Sequence, residues 1–429
     1  MIKVNRIKLY EKDATRGAVN LQRSYVKPEG LLLLETMNVH REGDYINQQL
    51  CRYSSDNGRT FGEWKELPRK NFSEMFGEDE RMTWETKRVY NPVHRHYVGT
   101  LLSRYCFGGH KAAYKVLWSS TEQSCFDHQY LFISDDIDSE YTSIKHVKFE
   151  EGADFDRNNP RNPEHLLKNE GGLNSPAVLK SGDIIVPVSV PMDKLCVLAG
   201  LDPKEIFPTV PQFAPGVLVA RGKYDPSKNA YDFTFSNPII ISDLESSRGF
   251  AEPIITELPS GRILLVLRGS NMQFAPWKTR IEKGTEAYKW YSYSDDGGKT
   301  FTAPRPWIFD DGEPVYSSAT ISEFIRSQKT GKLYWIGNVS NKGEAYDNYP
   351  RYPLYICEVD DERTVLKRDT LTVIDTRREG ESEKIQLSNF TLFEDRETGD
   401  IEVGLIKIAQ FDGEPAYLAE TWKYIITVD

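Results

Sequence analysis

The stretch Gly249-Phe250-Ala251-Glu252-Pro253-Ile254-Ile255-Thr256-Glu257-Leu258-Pro259-Ser260-Gly261-Arg262-Ile263-Leu264-Leu265-Val266-Leu267-Arg268 reads as two antiparallel strands joined by a tight turn. Ile254 and Ile255 begin one apolar run, Pro259-Ser260-Gly261 is turn chemistry, and Ile263 to Leu267 is a second, unbroken run. A run apolar on both faces suits a strand buried on both sides. Glu252 stands just before the first strand and Arg268 just after the second, so the hairpin brings a carboxylate and a guanidinium together at one rim. A single such pair would read as a structural tie. The unit that carries it, however, is repeated.

Strand, glycine-bearing turn, strand and polar loop recur at residues 21–36, 89–104, 173–190, 250–268, 316–338 and 387–408. The turns include Pro28-Glu29-Gly30, Lys180-Ser181-Gly182-Asp183, Lys329-Thr330-Gly331-Lys332 and Arg396-Glu397-Thr398-Gly399-Asp400. Six hairpins spaced by roughly 65 to 85 residues predict an all-β, six-bladed β-propeller of four-stranded antiparallel blades, with residues 1–429 as one domain. Helical periodicity is scarce; a short helix is expected at residues 202–206.

Composition narrows the function. The net charge of −10 argues against a general nucleic-acid binder, which needs a basic surface. No apolar run reaches about 18 residues, so neither a membrane span nor a membrane partner is expected. The opening Met1-Ile2-Lys3-Val4-Asn5-Arg6 has no apolar signal core and predicts a cytoplasmic protein. A protein whose leader had been removed would instead be secreted or periplasmic. Five cysteines, odd in number and scattered, indicate neither a zinc knuckle nor a disulfide framework, and no metal or cofactor is expected. His94 and His96 have the spacing of a metal pair but no recognisable carboxylate partner. His110 follows Gly108-Gly109, which lets a loop bend into a site. His128, His146 and His165 read as surface or loop residues. Residues 195–210 and 274–283 are insertions placed to roof a site or to form an interface. Nothing sets an oligomeric state.

Two short motifs share the pattern Ser-x-Asp-x-Gly-x-Thr-Phe: Ser54-Ser55-Asp56-Asn57-Gly58-Arg59-Thr60-Phe61 and Ser294-Asp295-Asp296-Gly297-Gly298-Lys299-Thr300-Phe301. Serine and aspartate side chains bond the turn backbone, glycine takes a positive φ, and phenylalanine plugs the hairpin into its sheet. Degenerate copies stand at Ser134-Asp135-Asp136 and Val359-Asp360-Asp361-Glu362. This pattern is the Asp-box, or BNR repeat, and here the chain resembles the sialidase (neuraminidase) superfamily of six-bladed propellers. In that family a glutamate opens the fourth blade and an arginine follows its second strand, as Glu252 and Arg268 do. A further family arginine is matched by Arg351 after Asn338, and residues 179–187 resemble the third-blade sequence. The resemblance implies that the arginines bind a substrate carboxylate through bidentate geometry. It also implies that the glutamate activates a sixth-blade tyrosine and that a first-blade aspartate is the acid/base. The chain departs from the family at Gln386-Leu387-Ser388-Asn389-Phe390, where no tyrosine stands. The first-blade Phe-Arg-Ile-Pro motif is also missing, with Arg16 and Arg23 the nearest substitutes.

The strand ends thus nominate Glu252, Asp44, His40 and His110 as catalytic residues and Arg268, Arg351, Asn338, Tyr316 and Arg104 as substrate-binding residues. The expected activity is that of a glycoside hydrolase releasing a terminal acidic sugar from an oligosaccharide or glycan. One alternative is a polysaccharide lyase, with Arg268 or Arg351 neutralising a uronate carboxylate and His110, His40 or Tyr316 taking the C5 proton. The other is a non-catalytic glycan-binding propeller.

Overall fold

A computed structural model describes residues 2–42, 46–67, 72–172, 174–210 and 212–429. The protein is an all-β six-bladed β-propeller, and all six hairpins expected from the sequence form. The chain packs as two compact units. One holds residues 1–68, 286–288 and 307–429 and carries blades 5, 6 and 1; the other holds residues 69–285 and 289–306 and carries blades 2, 3 and 4.

In the first unit, blade 1 runs Ala18–Tyr25, Leu33–His40, Gln48–Ser54 and Lys65–Glu66. Blade 5 runs Ser322–Arg326, Leu333–Asn338, Leu354–Asp360 and Val365–Leu366, with Thr372–Asp375 also pairing on its third strand. Blade 6 runs Phe390–Glu394, Ile401–Ile406 and Thr421–Thr427, and its fourth strand is the N-terminal Lys3–Tyr10. Both chain ends therefore share one sheet. Tyr334, Ile336, Ile356, Val403 and Trp422 belong to the apolar core of blades 5 and 6.

In the second unit, blade 3 runs Ala177–Val178, Ile184–Pro191, Pro215–Asp225 and Ala230–Phe235. Blade 4 runs Ala251–Glu257, Ile263–Arg268, Lys289–Ser294 and Arg305–Pro306. Ile263 to Leu267 are each at most 1% exposed, which explains a strand apolar on every residue. Blade 2 departs from the simple pattern. Its long strand His96–Cys106 pairs along one edge with Val89–Asn91 and then with Asp79–Glu85, which pairs in turn with an added strand, Phe72–Phe76. On its other edge follow Cys125–Ser134 and Tyr141–His146. Among its described residues four helices interrupt this unit: α1 (His110–Leu117), α2 (Pro163–Leu166), α3 (Met192–Ala199) and α4 (Pro203–Ile206). The last is the short helix expected at 202–206, N-capped by Asp202.

The two Ser-x-Asp-x-Gly-x-Thr-Phe turns close in the same way. Ser54 donates to Asp56 at 2.7 Å, and Asp56 accepts from the Thr60 amide at 2.8 Å and its hydroxyl at 2.6 Å. Ser294, Asp296 and Thr300 repeat this at 2.7, 2.9 and 2.7 Å. Gly58 and Gly298 sit at φ 80° and 87°, where a side chain would be strained. These bonds hold the Asp56 carboxyl down to about 2, foremost through the Thr60 hydroxyl. The turn at Ser134 is built differently: the serine donates to the Asp136 carbonyl, and Arg88 fills the turn from below.

Candidate functional site

In the second unit, the loops leaving the second strands carry α1 in blade 2, α3 and α4 in blade 3, and residues 269–285 in blade 4. A 3-10 turn at Ala275–Trp277 places Trp277 flat against Trp118, which follows α1; the centroids are 5.6 Å apart and the rings 7° from parallel. Arg248 lies over Trp118 at 5.1 Å. The insertion at 274–283 thus docks on blade 2.

Glu252 and Arg268 meet as the sequence expects. Ala251 pairs with Arg268, and a bulge displaces the register before Ile254. Within that bulge Glu252 takes φ 45°, a left-handed conformation rare for a residue with a side chain. The bulge turns its carboxylate onto the Arg268 guanidinium, which donates to Oε2. Arg268 is 13% exposed and Glu252 29%.

At the end of blade 2 lies a denser polar group. Glu80 accepts from the Ser73 hydroxyl, from the His110 amide at 2.9 Å and from His110 Nδ1 at 2.6 Å. Burial pushes the Glu80 carboxyl up, but these bonds outweigh it and hold it below its ordinary value. Ionised Glu80 accepting from Nδ1 selects the tautomer in which Nε2 is the basic nitrogen. Arg104 grips Asp127 through two bonds of 2.7 Å and donates to Tyr114 on α1 at 2.7 Å. Asp79 binds Arg161 at 2.6 and 2.7 Å and accepts from Tyr105 at 2.8 Å. Glu80, Asp127 and Tyr114 were not legible in the sequence. Glu80 sits in the added hairpin, and the other two are placed by pairing and by α1.

In the first unit, Arg351 donates to Gln386 at 2.8 Å, to Ser388 at 3.3 Å, and to the carbonyl and side chain of Asn348 at 3.0 Å each. Gln386 and Ser388 occupy the segment in which the family resemblance implies a tyrosine and this chain has none. Tyr316 bridges to Tyr288, with ring centroids 5.6 Å apart. Asn338 is fully buried and donates to the Pro353 carbonyl at 3.0 Å, so it supports the strand that follows Arg351 and does not face solvent. His40 ends the second strand of blade 1 and stacks on Tyr417 at 6.0 Å. Asp44 lies outside the described residues. Arg23 is no substitute for the missing first-blade arginine: its guanidinium is committed to Glu35 at 2.8 Å and Glu402 at 2.9 Å.

Three histidine expectations are overturned. His128, His146 and His165 are buried, not surface residues. Their rings form one cluster, with His128 and His165 stacked at 4.0 Å. His96 is also buried, beside the Tyr231 hydroxyl at 2.8 Å. Among the described residues no three His, Cys, Asp or Glu side chains are grouped to hold a metal.

These burials set a pH dependence. Burial foremost pushes His96 and His146 down to about 4 from 6.5. Each is neutral in the fold, so its contribution to stability is full above pH 6.5 and lost as pH falls toward 4. Glu170 is buried against Gln123 at 2.5 Å, and burial pushes its carboxyl up from 4.5 to about 8. It is protonated in the fold where the unfolded chain is ionised, so its contribution is lost as pH rises from 4.5 to 8. Stability is therefore expected to peak near pH 6.5, where the two trends cross. Urea midpoints across pH should show Glu170→Gln abolishing a decline of about 2 kcal/mol on the alkaline side. An unchanged alkaline limb would show that Glu170 is ionised in the fold.

No protein-family model matches the sequence, and no curated protein matches it. The fold does have structural neighbours. A crystal structure of a protein of unknown function from Dyadobacter fermentans superposes with a TM-score of 0.55 at 13% identity, covering 99% of both chains. The NanB sialidase of Streptococcus pneumoniae gives a TM-score of 0.55 at 12% identity over 98% of this chain and 70% of its own. The Hadza microbial sialidase Hz136 gives 0.51 at 9% identity over 96% and 66%. At these identities the likeness is one of fold: this chain is a sialidase-like six-bladed propeller.

Proposed function

We propose that this protein is a carbohydrate-active enzyme, a glycoside hydrolase releasing a terminal acidic sugar from a glycan. The observation that carries the reading is Glu252: a strained residue in a bulge, at the open end of blade 4, holding its carboxylate on Arg268. Strain of this kind, of order 1–3 kcal/mol, persists where the surrounding structure imposes it and is concentrated at functional sites. In this reading Arg268 takes the carboxylate of the substrate, which releases Glu252 from the ion pair. Glu252 then acts as the nucleophile at the anomeric carbon, or as the base that takes a proton from the attacking water, while Asp44 or His40 protonates the departing glycosidic oxygen. The sialidase-like fold supports the substrate class by analogy. For His40, Asp44, Tyr316 and Arg351 the proposed roles rest on sequence, whereas the buried Asn338 supports the strand after Arg351 and is not proposed to bind substrate.

One feature favours elimination as a second reading. The His110 ring is oriented by an ionised carboxylate, the arrangement of a general base, on the same blade as Arg104. Incubation with sialosides and uronides, following reducing ends and the ultraviolet absorbance of an unsaturated uronide, separates the readings. New reducing ends without absorbance support hydrolysis at Glu252. New ends with absorbance move the chemistry to His110. Binding with neither signal overturns catalysis and leaves a glycan-binding propeller.

A further inference from the structure

The spacing of the cysteines offers no disulfide framework, yet strand pairing in blade 2 brings two of the five together. Cys106 ends the long strand His96–Cys106 and Cys125 opens the next, Cys125–Ser134, so the two stand directly opposite across the ladder. The adjoining pair is the hydrogen-bonded one, the Phe107 amide donating to the Ser124 carbonyl at 2.9 Å. The two kinds of pair alternate along an antiparallel ladder, which makes Cys106 and Cys125 a non-hydrogen-bonded pair. That is the kind with the closer side chains and with Cα atoms about 4.5 Å apart. A disulfide spans Cα separations of about 4.4–6.8 Å. The two thiols share a hydrogen bond, with their Sγ atoms 3.7 Å apart.

The pair is asymmetric. Cys106 is fully buried and Cys125 half-buried, so an external oxidant meets Cys125 first. Two residues along each strand, on the same face, Arg104 grips Asp127. The bond shared with Cys106 foremost, and the Arg104 guanidinium further, outweigh burial and pull the Cys125 thiol below its ordinary value. This favours the thiolate, the form that attacks. The same shared bond foremost pushes the Cys106 thiol up. Residues 107–124 between the two cysteines form the loop that carries His110 and α1. Side-chain bonds hold that loop to the blade: the Ser124 hydroxyl donates to the Ala113 carbonyl at 2.8 Å and Arg104 donates to Tyr114 at 2.7 Å.

We propose that Cys106 and Cys125 are a redox-sensitive pair that a small disulfide oxidant closes to a cross-strand disulfide, stapling the base of the loop that carries His110. The Cys125 thiol loses its proton, and its sulfur attacks one sulfur of the oxidant. The oxidant's S–S bond breaks and one half leaves as a thiolate. Cys106 then loses its proton and attacks the Cys125 sulfur of the mixed disulfide, and the second half leaves as a thiolate. The two protons go to the two leaving groups, so two cysteine thiols are oxidised and one disulfide is reduced to two thiols. The effect is local because the two cysteines are the ends of the loop: closing the ring removes freedom from residues 107–124. The staple requires no catalytic role of His110.

The full chain is incubated with oxidised glutathione, alkylated as it is unfolded without reduction, and mapped by mass spectrometry. A peptide joining Cys106 to Cys125 is expected, with Cys51, Cys196 and Cys357 alkylated as thiols. Hydrogen exchange in residues 107–124 should slow about tenfold or more in the oxidised protein and recover when dithiothreitol reopens the link. Cys125→Ser should lose both the link and the slowing, and Cys106→Ala decides the matter if Cys125→Ser fails to fold. A glutathione adduct that stays on Cys125, both thiols alkylated, or a link that leaves exchange in 107–124 unchanged would overturn the proposal.

Discussion

Arg268→Ala is expected to lower kcat/KM on an acidic glycan about a thousandfold, some 4 kcal/mol of transition-state stabilisation, while the protein stays folded. The loss is large because a guanidinium held at a partly desolvated rim gives two charge-assisted bonds to a carboxylate, and alanine gives none. Arg268→Lys keeps the charge without the fork and should fall between. The fold should tolerate both, since the Glu252 carboxylate is 29% exposed and can take water in place of the guanidinium. Arg268 also ends its strand, so the core residues Ile263 to Leu267 are untouched. Glu252→Gln should lose turnover to a similar degree but retain substrate binding. A folded Arg268→Ala protein with undiminished turnover would remove this pair from the chemistry. A collapse of the melting temperature would instead make the arginine a structural tie of blade 4.

The second large effect is one of stability and concerns a buried charge network in the first unit. Lys407 is 0% exposed, and its ammonium lies 3.0 Å from Asp375 and 2.9 Å from Glu381. Asp375 also accepts from Tyr424 and pairs with Arg6 at 3.4 Å and Arg378 at 3.3 Å. Burial pushes the Asp375 carboxyl up, but the Tyr424 bond and the Lys407 charge outweigh it and hold it below its ordinary value. Asp375→Ala therefore leaves a fully buried ammonium with one carboxylate and the Tyr424 hydroxyl without its acceptor. The expected destabilisation is about 3–5 kcal/mol, seen as a lower urea midpoint. Asp375→Asn, which keeps an acceptor for Tyr424, should lose less. A midpoint within error of the parent for Asp375→Ala would mean that water or Glu381 compensates the lysine fully.

The hairpins were legible because their determinants are local. A fully apolar run such as Ile263 to Leu267, a glycine turn such as Gly261 and the serine–aspartate lock at Asp56 and Asp296 each act within a few residues. Six copies at similar spacing then fixed the blade count, and the hairpin geometry alone brought Glu252 to Arg268. The added strand Phe72–Phe76 was not legible, because its partner lies in an edge pairing that no local period announces. Nor was the pairing of Lys3–Tyr10 with Thr421–Thr427, strands at opposite ends of the chain. Burial of His128, His146 and His165 depends on what packs over them, and a histidine in a polar loop carries no signal of that. The commitment of Arg23 to Glu35 and Glu402, the positive φ of Glu252, and the network around Lys407 are likewise decided by long-range neighbours. The sequence by itself determined the repeated hairpin and the residue types at its rim, since both follow from short-range sterics and hydrogen bonding. Only the tertiary structure decided which of those charged groups are tied to one another, because that depends on pairing register and burial between segments far apart in the chain.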